Sequence, residues 1–323
     1  MQPLAGMLVV DLTRYLPGAY ASRELLRLGA RVVRLEPPEG DPMRHVAPAW
    51  EAALNGGKES VACDLKVEPE LGRALCERAD VVLEGFRPGV AARLGVGPDD
   101  LPDSLVYCSI TGFGTDGPHA LRAGHDLNYL GYAGVLEDTA PHLPPLQPAD
   151  LAAGALGAVT EVLAALLERG RTGRGVRLTV SMTHGSHRLV SHRVGGDPLP
   201  RFLTGGAACY RIYETGDGRH VTIAALEPKF FARLCQVIGR PDLAELHLVD
   251  EAQERLAEEL AAVFASRRLV DWLELCDAED VALGPVATLT EAAAEFGEPQ
   301  AGRSAAVGEH TATWRTELGV SRG

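Results

Sequence analysis

The chain is short of cysteine, of positive charge, of signature glycines and of long apolar runs. Its six cysteines, Cys63, Cys76, Cys108, Cys209, Cys235 and Cys276, are far apart, and none stands in C-x-x-C spacing. That excludes a disulfide framework and fits reduced, mostly buried thiols in a reducing compartment. Lysine plus arginine number 31 against 44 aspartate plus glutamate, a formal net charge of −13. This balance argues against general binding to nucleic acid or to a membrane surface, while leaving room for a local basic pocket. The first residues lead straight into a strand-like stretch, without the basic and apolar regions of a signal peptide. No uncharged apolar run is read as reaching the ~18 residues of a membrane span. A cytoplasmic protein is expected.

Several chemical signatures are also missing. The opening strand–helix–strand pattern, with Glu36 closing the second strand, invites a dinucleotide-binding reading. That reading needs G-x-G-x-x-G in the first turn so that the backbone can approach a pyrophosphate. Here the turn is Arg14-Tyr15-Leu16-Pro17-Gly18-Ala19, with one glycine. There is no P-loop, no H-E-x-x-H and no G-x-S-x-G elbow. His184 and His187 form an i,i+3 pair without a carboxylate at ligand spacing, which reads as surface rather than as a metal site. No metal and no tightly bound cofactor is expected.

What is present is a globular α/β pattern. Hydrophobic residues make up 46% and charged residues 23% of the 323 residues, which suits a folded chain of one large or two medium domains. Leu8–Leu12, Arg31–Leu35, Asp80–Glu84 and Leu105–Ile110 read as buried strands. Helices are expected over Ala19–Leu28, stopped by Gly29, near Glu68–Arg78, and over Asp150–Arg169, closed by Gly170. A further strand is expected at Val176–Val180. This alternation predicts a parallel sheet with helices on its faces. Composition shifts after Ser181. Gly195–Pro198 and Thr204–Gly206 read as linker. Ala208–Tyr213 and His220–Ala224 pair as a hairpin across Gly216-Asp217-Gly218. Helices follow at Pro228–Ile238, Glu251–Ala265 and Leu269–Cys276. The expected organisation is a large domain over 1–185, a linker over 186–206 and a small α+β domain over 207–294. The final polar stretch is weakly periodic.

Two short segments carry chemistry. Ala123-Gly124-His125-Asp126-Leu127-Asn128-Tyr129 sets a histidine beside a carboxylate. In Pro144–Leu151, Asp150 opens an apolar helix. A histidine and an aspartate from two loops can flank one carbon and move a proton on or off it. Each also has a plainer reading. His125 could be a turn residue, Asp150 a helix N-cap, and Glu227, before Pro228, a first-turn carboxylate favoured by the helix dipole.

Several fragments together resemble the family III CoA-transferases, and specifically their α-methylacyl-CoA racemase branch. They are Leu4–Leu12, Leu28–Pro37, Asn55–Lys58 with Ala62–Lys66, and Leu83–Val90. Thr111–Gly114 with Gly117-Pro118, the Gly124-His125-Asp126 stretch, the Asp150 loop and Leu226–Phe231 follow in order. The resemblance implies a large Rossmann-like domain, a small domain and a C-terminal segment, about 295–323, that returns to the large one. It further implies an interlocked homodimer with its active site between the large domain of one subunit and the small domain of the other. The chain is shorter than most relatives, with trimmed loops around Glu137–Pro145 and Arg188–Arg201.

By the same resemblance, His125 and Asp150 are the two acid/base groups and Glu227 hydrogen-bonds to them. Coenzyme A enters as part of the substrate. Arg34, Arg87 and Arg93 are nominated for its phosphates, for which guanidinium is suited. Ala62 and Leu65 would shape the CoA groove through their backbone, N–H groups around Asp126 would hold the enolate oxygen, and Tyr129 would line the channel. The implied activity is racemisation of 2-methylacyl-CoA thioesters. The alternative is CoA transfer, with Asp150 as the nucleophile of a covalent intermediate. Transferases carry a glycine-rich lid in the small domain, and Thr204-Gly205-Gly206-Ala207 is a poor substitute. In the other direction, Leu151-Ala152-Ala153-Gly154 stands where racemases often have several glycines. A non-catalytic CoA-ester-binding protein is a third reading.

Overall fold

The structure, a computed structural model, describes residues 2–137, 139–193, 203–297 and 302–321. The chain divides into two compact units, Met1–Ser191 with Pro299–Gly323, and His192–Glu298. The Gly195–Pro198 part of the expected linker lies outside the described residues.

The first unit is built on β1 (Leu8–Asp11), α1 (Tyr15–Arg27), β2 (Arg31–Glu36), α2 (Met43–Val46), α3 (Pro48–Asn55) and β3 (Glu59–Ala62). It continues with α4 (Pro69–Arg78), β4 (Val81–Glu84), α5 (Val90–Arg93), β5 (Val106–Thr111) and α6 (Asp126–Tyr132). A π-wound stretch Ala149–Leu156 then runs into α7 (Gly157–Thr172), followed by β6 (Arg177–Ser181) and α8 (Met182–Leu189). The six strands pair in the order β3-β2-β1-β4-β5-β6, all parallel. Leu8, Val9 and Val10 of β1 and Val81, Val82 and Leu83 of β4 are all buried, as strands covered by helices on both faces must be. The order reverses between β1 and β4. In open α/β sheets that crevice, at the C-terminal strand ends, is where ligands bind.

Two helices of this unit differ from expectation. Helix α1 starts at Tyr15, four residues before Ala19, because Pro17 is tolerated in a first turn. Gly18 sits there against the preceding loop, and a Cβ would meet Thr13 Oγ1 at 2.0 Å. Helix α7 passes through Gly170 to Thr172, and the left-handed residue that ends it is Gly173 (φ 73°). Ala149–Thr172 is also long and apolar enough, by length and composition, to cross a membrane, contrary to the expectation of no such run. Here the stretch is a core element. Ala149, Ala153, Gly154, Ala155, Ala158, Val159, Val162 and Ala165 are buried. The small side chains let it pack closely on α1 and α8.

The second unit holds β7 (Tyr210–Glu214), β8 (His220–Ala224), α9 (Pro228–Val237), α10 (Gln253–Phe264), α11 (Leu269–Cys276), β9 (Leu283–Pro285) and α12 (Leu289–Phe296). Strands β7 and β8 form the hairpin, and β9 adds a third antiparallel strand on β8. Phe231, Leu234, Leu256, Leu260, Phe264 and Trp272 fill its core. The C-terminal segment carries α13 (Thr311–Leu318) in the first unit. Buried Trp314 donates Nε1–H to Glu59 (2.7 Å), and Ala62 N–H donates to Thr311 Oγ1 (2.9 Å). The edge strand β3 is covered in this way. All six cysteines are buried free thiols. Burial pushes the Cys63 and Cys235 thiols up to about 11 and Cys108 to about 12.

Candidate active site

A cleft of about 510 Å³ opens at the C-terminal ends of β1, β4 and β5 in the first unit. Its floor comes from the loops that leave those strands, with Thr13–Tyr15 after β1, Gly85–Pro88 after β4 and Thr111–Phe113 at the end of β5. Its wall is Ala120–Tyr129, with Asp150 and Met182 closing it. A narrower groove of about 110 Å³ runs along the ends of β2 and β3, lined by Glu36, Pro37 and Cys63–Lys66. Arg14 and Phe86 line both. The two therefore lie side by side at the switch point.

His125 immediately precedes α6, in extended backbone conformation (φ −131°, ψ 177°). Its N–H donates to Asn128 Oδ1 (3.1 Å), which fixes the entry to the helix. The imidazole is exposed to the cleft and has no hydrogen-bond partner among the described residues. Tyr129, one turn on, is buried with its ring edge-on to Phe113, centroids 5.1 Å apart. Its hydroxyl donates to Gly124 O, pinning the loop that carries His125. Gly112 is required here, because a Cβ would lie 2.5 Å from the Tyr129 ring.

Asp150 lies in the first turn of the π-wound stretch, half-buried. Wide π turns inside helices are frequent at functional sites. Burial raises the Asp150 carboxyl, with the neighbouring Asp126 charge adding to the effect, to about 7. Asp126 is itself buried, and one of its carboxylate oxygens accepts the Asp150 N–H at 2.9 Å. Burial raises the Asp126 carboxyl too, against the N–H donors of Asp150 and Ala149. The Tyr129 phenol is raised by burial first and then by both carboxylates. His125 and Asp150 thus line one cleft, one freely hydrated and the other held near neutrality. A carboxyl in that range can take up and return a proton near pH 7.

The other nominated residues divide. Arg87 lines the main cleft, exposed, and Leu65 lines the groove. Ala62 ends β3 with its N–H bonded to Thr311. Arg93 closes α5, exposed, next to Leu94 of the groove but not itself among the lining residues of either cleft. Arg34 ends up inside a charge cluster. Its guanidinium is buried and ion-paired with Asp41 (3.0 Å) and Glu51 (2.5 Å). A phosphate would have to displace carboxylates that a buried cation cannot lose cheaply. Glu227 belongs to the second unit, where it precedes α9 with its side chain exposed and its carbonyl accepting Phe230 N–H (3.0 Å).

Three lining residues escaped the sequence reading. Arg14 is exposed, lines both clefts and has no ion-pair partner among the described residues. Its place one turn after β1 was the signal available. Arg122 lines the same cleft and donates to Tyr132 Oη (2.7 Å). Tyr15 is held at φ 66°, a conformation that aromatic residues rarely adopt and that strained functional turns store. No sequence signal marks it.

The model of CoA-transferase family III matches residues 4–313. The chain belongs to this family. Its relatives include the α-methylacyl-CoA racemase of Mus musculus, 33% identical, with 99% of this chain and 94% of the relative covered. The succinyl-CoA:glutarate CoA-transferase of Mus musculus is 31% identical over 91% of this chain and 74% of its own length. Among solved structures, Rv3272 from M. tuberculosis superposes with a TM-score of 0.82 at 29% identity, covering 97% of this chain and 99% of that one. The chain is thus an enzyme of a family that contains both racemases and CoA-transferases acting on CoA thioesters.

Proposed function

We propose that the protein interconverts the two configurations of a 2-methylacyl-CoA thioester. One group removes the α-proton, the electron pair moves onto the thioester oxygen as an enolate, and the opposite group returns a proton to the other face. His125 and Asp150 are that pair, each acting as base for one enantiomer and acid for the other. The observation that carries this reading is the placing of both groups on one cleft, with Asp150 held near 7. A carboxyl in that range is populated in both forms at neutral pH, as a reversible acid/base must be. The exposed Arg14 and Arg87 on the same cleft suit the phosphates of coenzyme A, which an otherwise acidic chain could not attract. Glu227 keeps its proposed part as hydrogen-bond support for the pair, and the homodimer and cytoplasmic placement belong to the same reading.

The second reading is CoA transfer, with Asp150 as nucleophile. It is favoured by the transferase among the relatives and by the fraction of Asp150 that is ionised near pH 7. Incubation with a 2-methylacyl-CoA in deuterated water separates the two. α-Deuterium without any added carboxylic acid supports racemisation. No exchange, with CoA passing to a free acid, establishes transfer.

A further inference from the structure

The family reading gives Asp150 its chemistry but does not say what holds it in place. The turn that carries it has no side-chain cap of its own, since Pro148 precedes it and offers none. The acceptor for the Asp150 N–H comes instead from another helix, as the buried Asp126 carboxylate, 24 residues away in sequence. Asp126 is adjacent to His125, so one dipeptide supplies a lining group and reaches across to the element that supplies the other. The first N–H groups of a helical turn have no partner within the turn, and an anion placed there is favoured by both hydrogen bonding and the dipole.

We propose that Asp126 is a positioning residue for Asp150. Its side-chain oxygen fixes the backbone of the π-wound turn, and its negative charge stands beside the Asp150 carboxyl. This inference rests on the reading of Asp150 as an acid/base group. Other titratable groups share the cleft. They are Arg14 and Tyr15 at the start of α1, Arg87 after β4, Arg122 and His125 before α6, and Tyr129 on it. On the packed helix α8, His184 is bonded to Ser181 Oγ (2.7 Å) and His187 to Ala133 O (3.1 Å). Among all of these, Asp126 is the charge that acts on Asp150 beside burial itself.

Asp126→Asn separates the two parts of the role. The amide oxygen can still accept the Asp150 N–H, while the charge is gone. The carboxyl titration of Asp150 is followed by ¹³C NMR in the free protein labelled at aspartate, its signal identified by its loss in Asp150→Asn. The expected result is a fall in the Asp150 midpoint by about one unit, a tenfold change in its ratio of protonated to ionised form. The acid limb of the exchange rate against pH moves with it while KM holds. Asp126→Ser, with an oxygen acceptor on a shorter arm, gives the same direction should the amide variant fold poorly. An Asp150 midpoint unchanged in both variants overturns the proposal. The NMR titration does not need turnover. A midpoint that shifts in a protein showing no α-proton exchange leaves the positioning role standing and removes the racemase reading alone.

Discussion

Two stretches of one sheet edge treat charge in opposite ways. On the β2–β3 side the charged groups are buried and matched. Arg34 pairs with Asp41 and Glu51, Arg44 with Glu36 (2.6 Å), and Lys58 stands 3.6 Å from Asp11. The Lys58 ammonium also donates to Ala19 O (2.9 Å), Ser22 Oγ and Asn55 Oδ1 (both 2.7 Å). Burial lowers its pKa to about 8 in spite of the Asp11 charge. On the β1–β4–β5 side, Arg14, Arg87 and His125 face a cleft without ion-pair partners among the described residues, and Asp150 has only a like charge beside it. The two regions lie one strand apart. A matched buried charge is part of the architecture, because desolvating it is tolerable only with its partner in place. An unmatched charge on a cleft is available to a ligand.

The comparison can be broken at either side. Removing one partner of a buried pair has the largest expected effect. Arg34→Ala should cost about 3–5 kcal/mol of unfolding free energy, since Asp41 is left buried without its cation and Glu51 keeps only the more distant Arg44 at 3.7 Å. The folded fraction should bind CoA esters with unchanged affinity. Urea unfolding alongside calorimetry checks both, and a stable variant with weakened binding would return Arg34 to the ligand. Arg14→Ala and Arg87→Ala should do the reverse. Each should weaken CoA-ester binding by about 1.5–3 kcal/mol if it makes a charge-assisted phosphate contact. Stability should change by less than about 0.5 kcal/mol.

The smallest effect concerns pH. The Asp150 pKa is raised in the folded state, so its contribution to stability is complete below about pH 4 and is lost as pH rises through about 7. Relative to the native protein, Asp150→Asn should therefore gain stability across that window. The gain should be on the order of 1–2 kcal/mol once partial exposure is allowed for. Urea midpoints at pH 4.5 and pH 8 would show it, and parallel profiles for the two proteins would contradict a raised carboxyl.

Much of this was legible before the fold was known, and the failures have physical reasons. The short apolar runs of β1, β4 and β5 announce a sheet covered on both faces, and Gly29, at φ 102°, follows the end of the first helix. Strand β3 is only four residues, Glu59–Ala62, and helix α13 depends on one buried tryptophan, so neither has enough periodicity to be read. Gly170 reads as a stop in the sequence, but an exposed helical glycine is merely unfavourable, not terminating. His125 and Asp150 stand out in the sequence as a histidine and a carboxylate on two loops, but alone each has an ordinary turn or cap reading, and their acid/base roles come from the resemblance. Arg34 was nominated because its strand-end position is a good place for a ligand contact. Only the three-dimensional neighbourhood reveals that two carboxylates already occupy its guanidinium. Arg14 was passed over for the converse reason, as nothing in a linear sequence distinguishes an unpaired arginine from a paired one.

The central claim is that His125 and Asp150 act as two opposed acid/base groups on one α-carbon. Its most direct test is deuterium incorporation against loss of chirality, for each pure enantiomer of a 2-methylacyl-CoA, in the native protein, His125→Ala and Asp150→Asn. The account predicts that both variants lose inversion by about 10²–10⁴-fold. Each should still exchange the proton of the one enantiomer whose α-hydrogen faces the surviving group, without racemising it. Full inversion in His125→Ala, or a covalent acyl adduct trapped on Asp150 of the native protein, would contradict it.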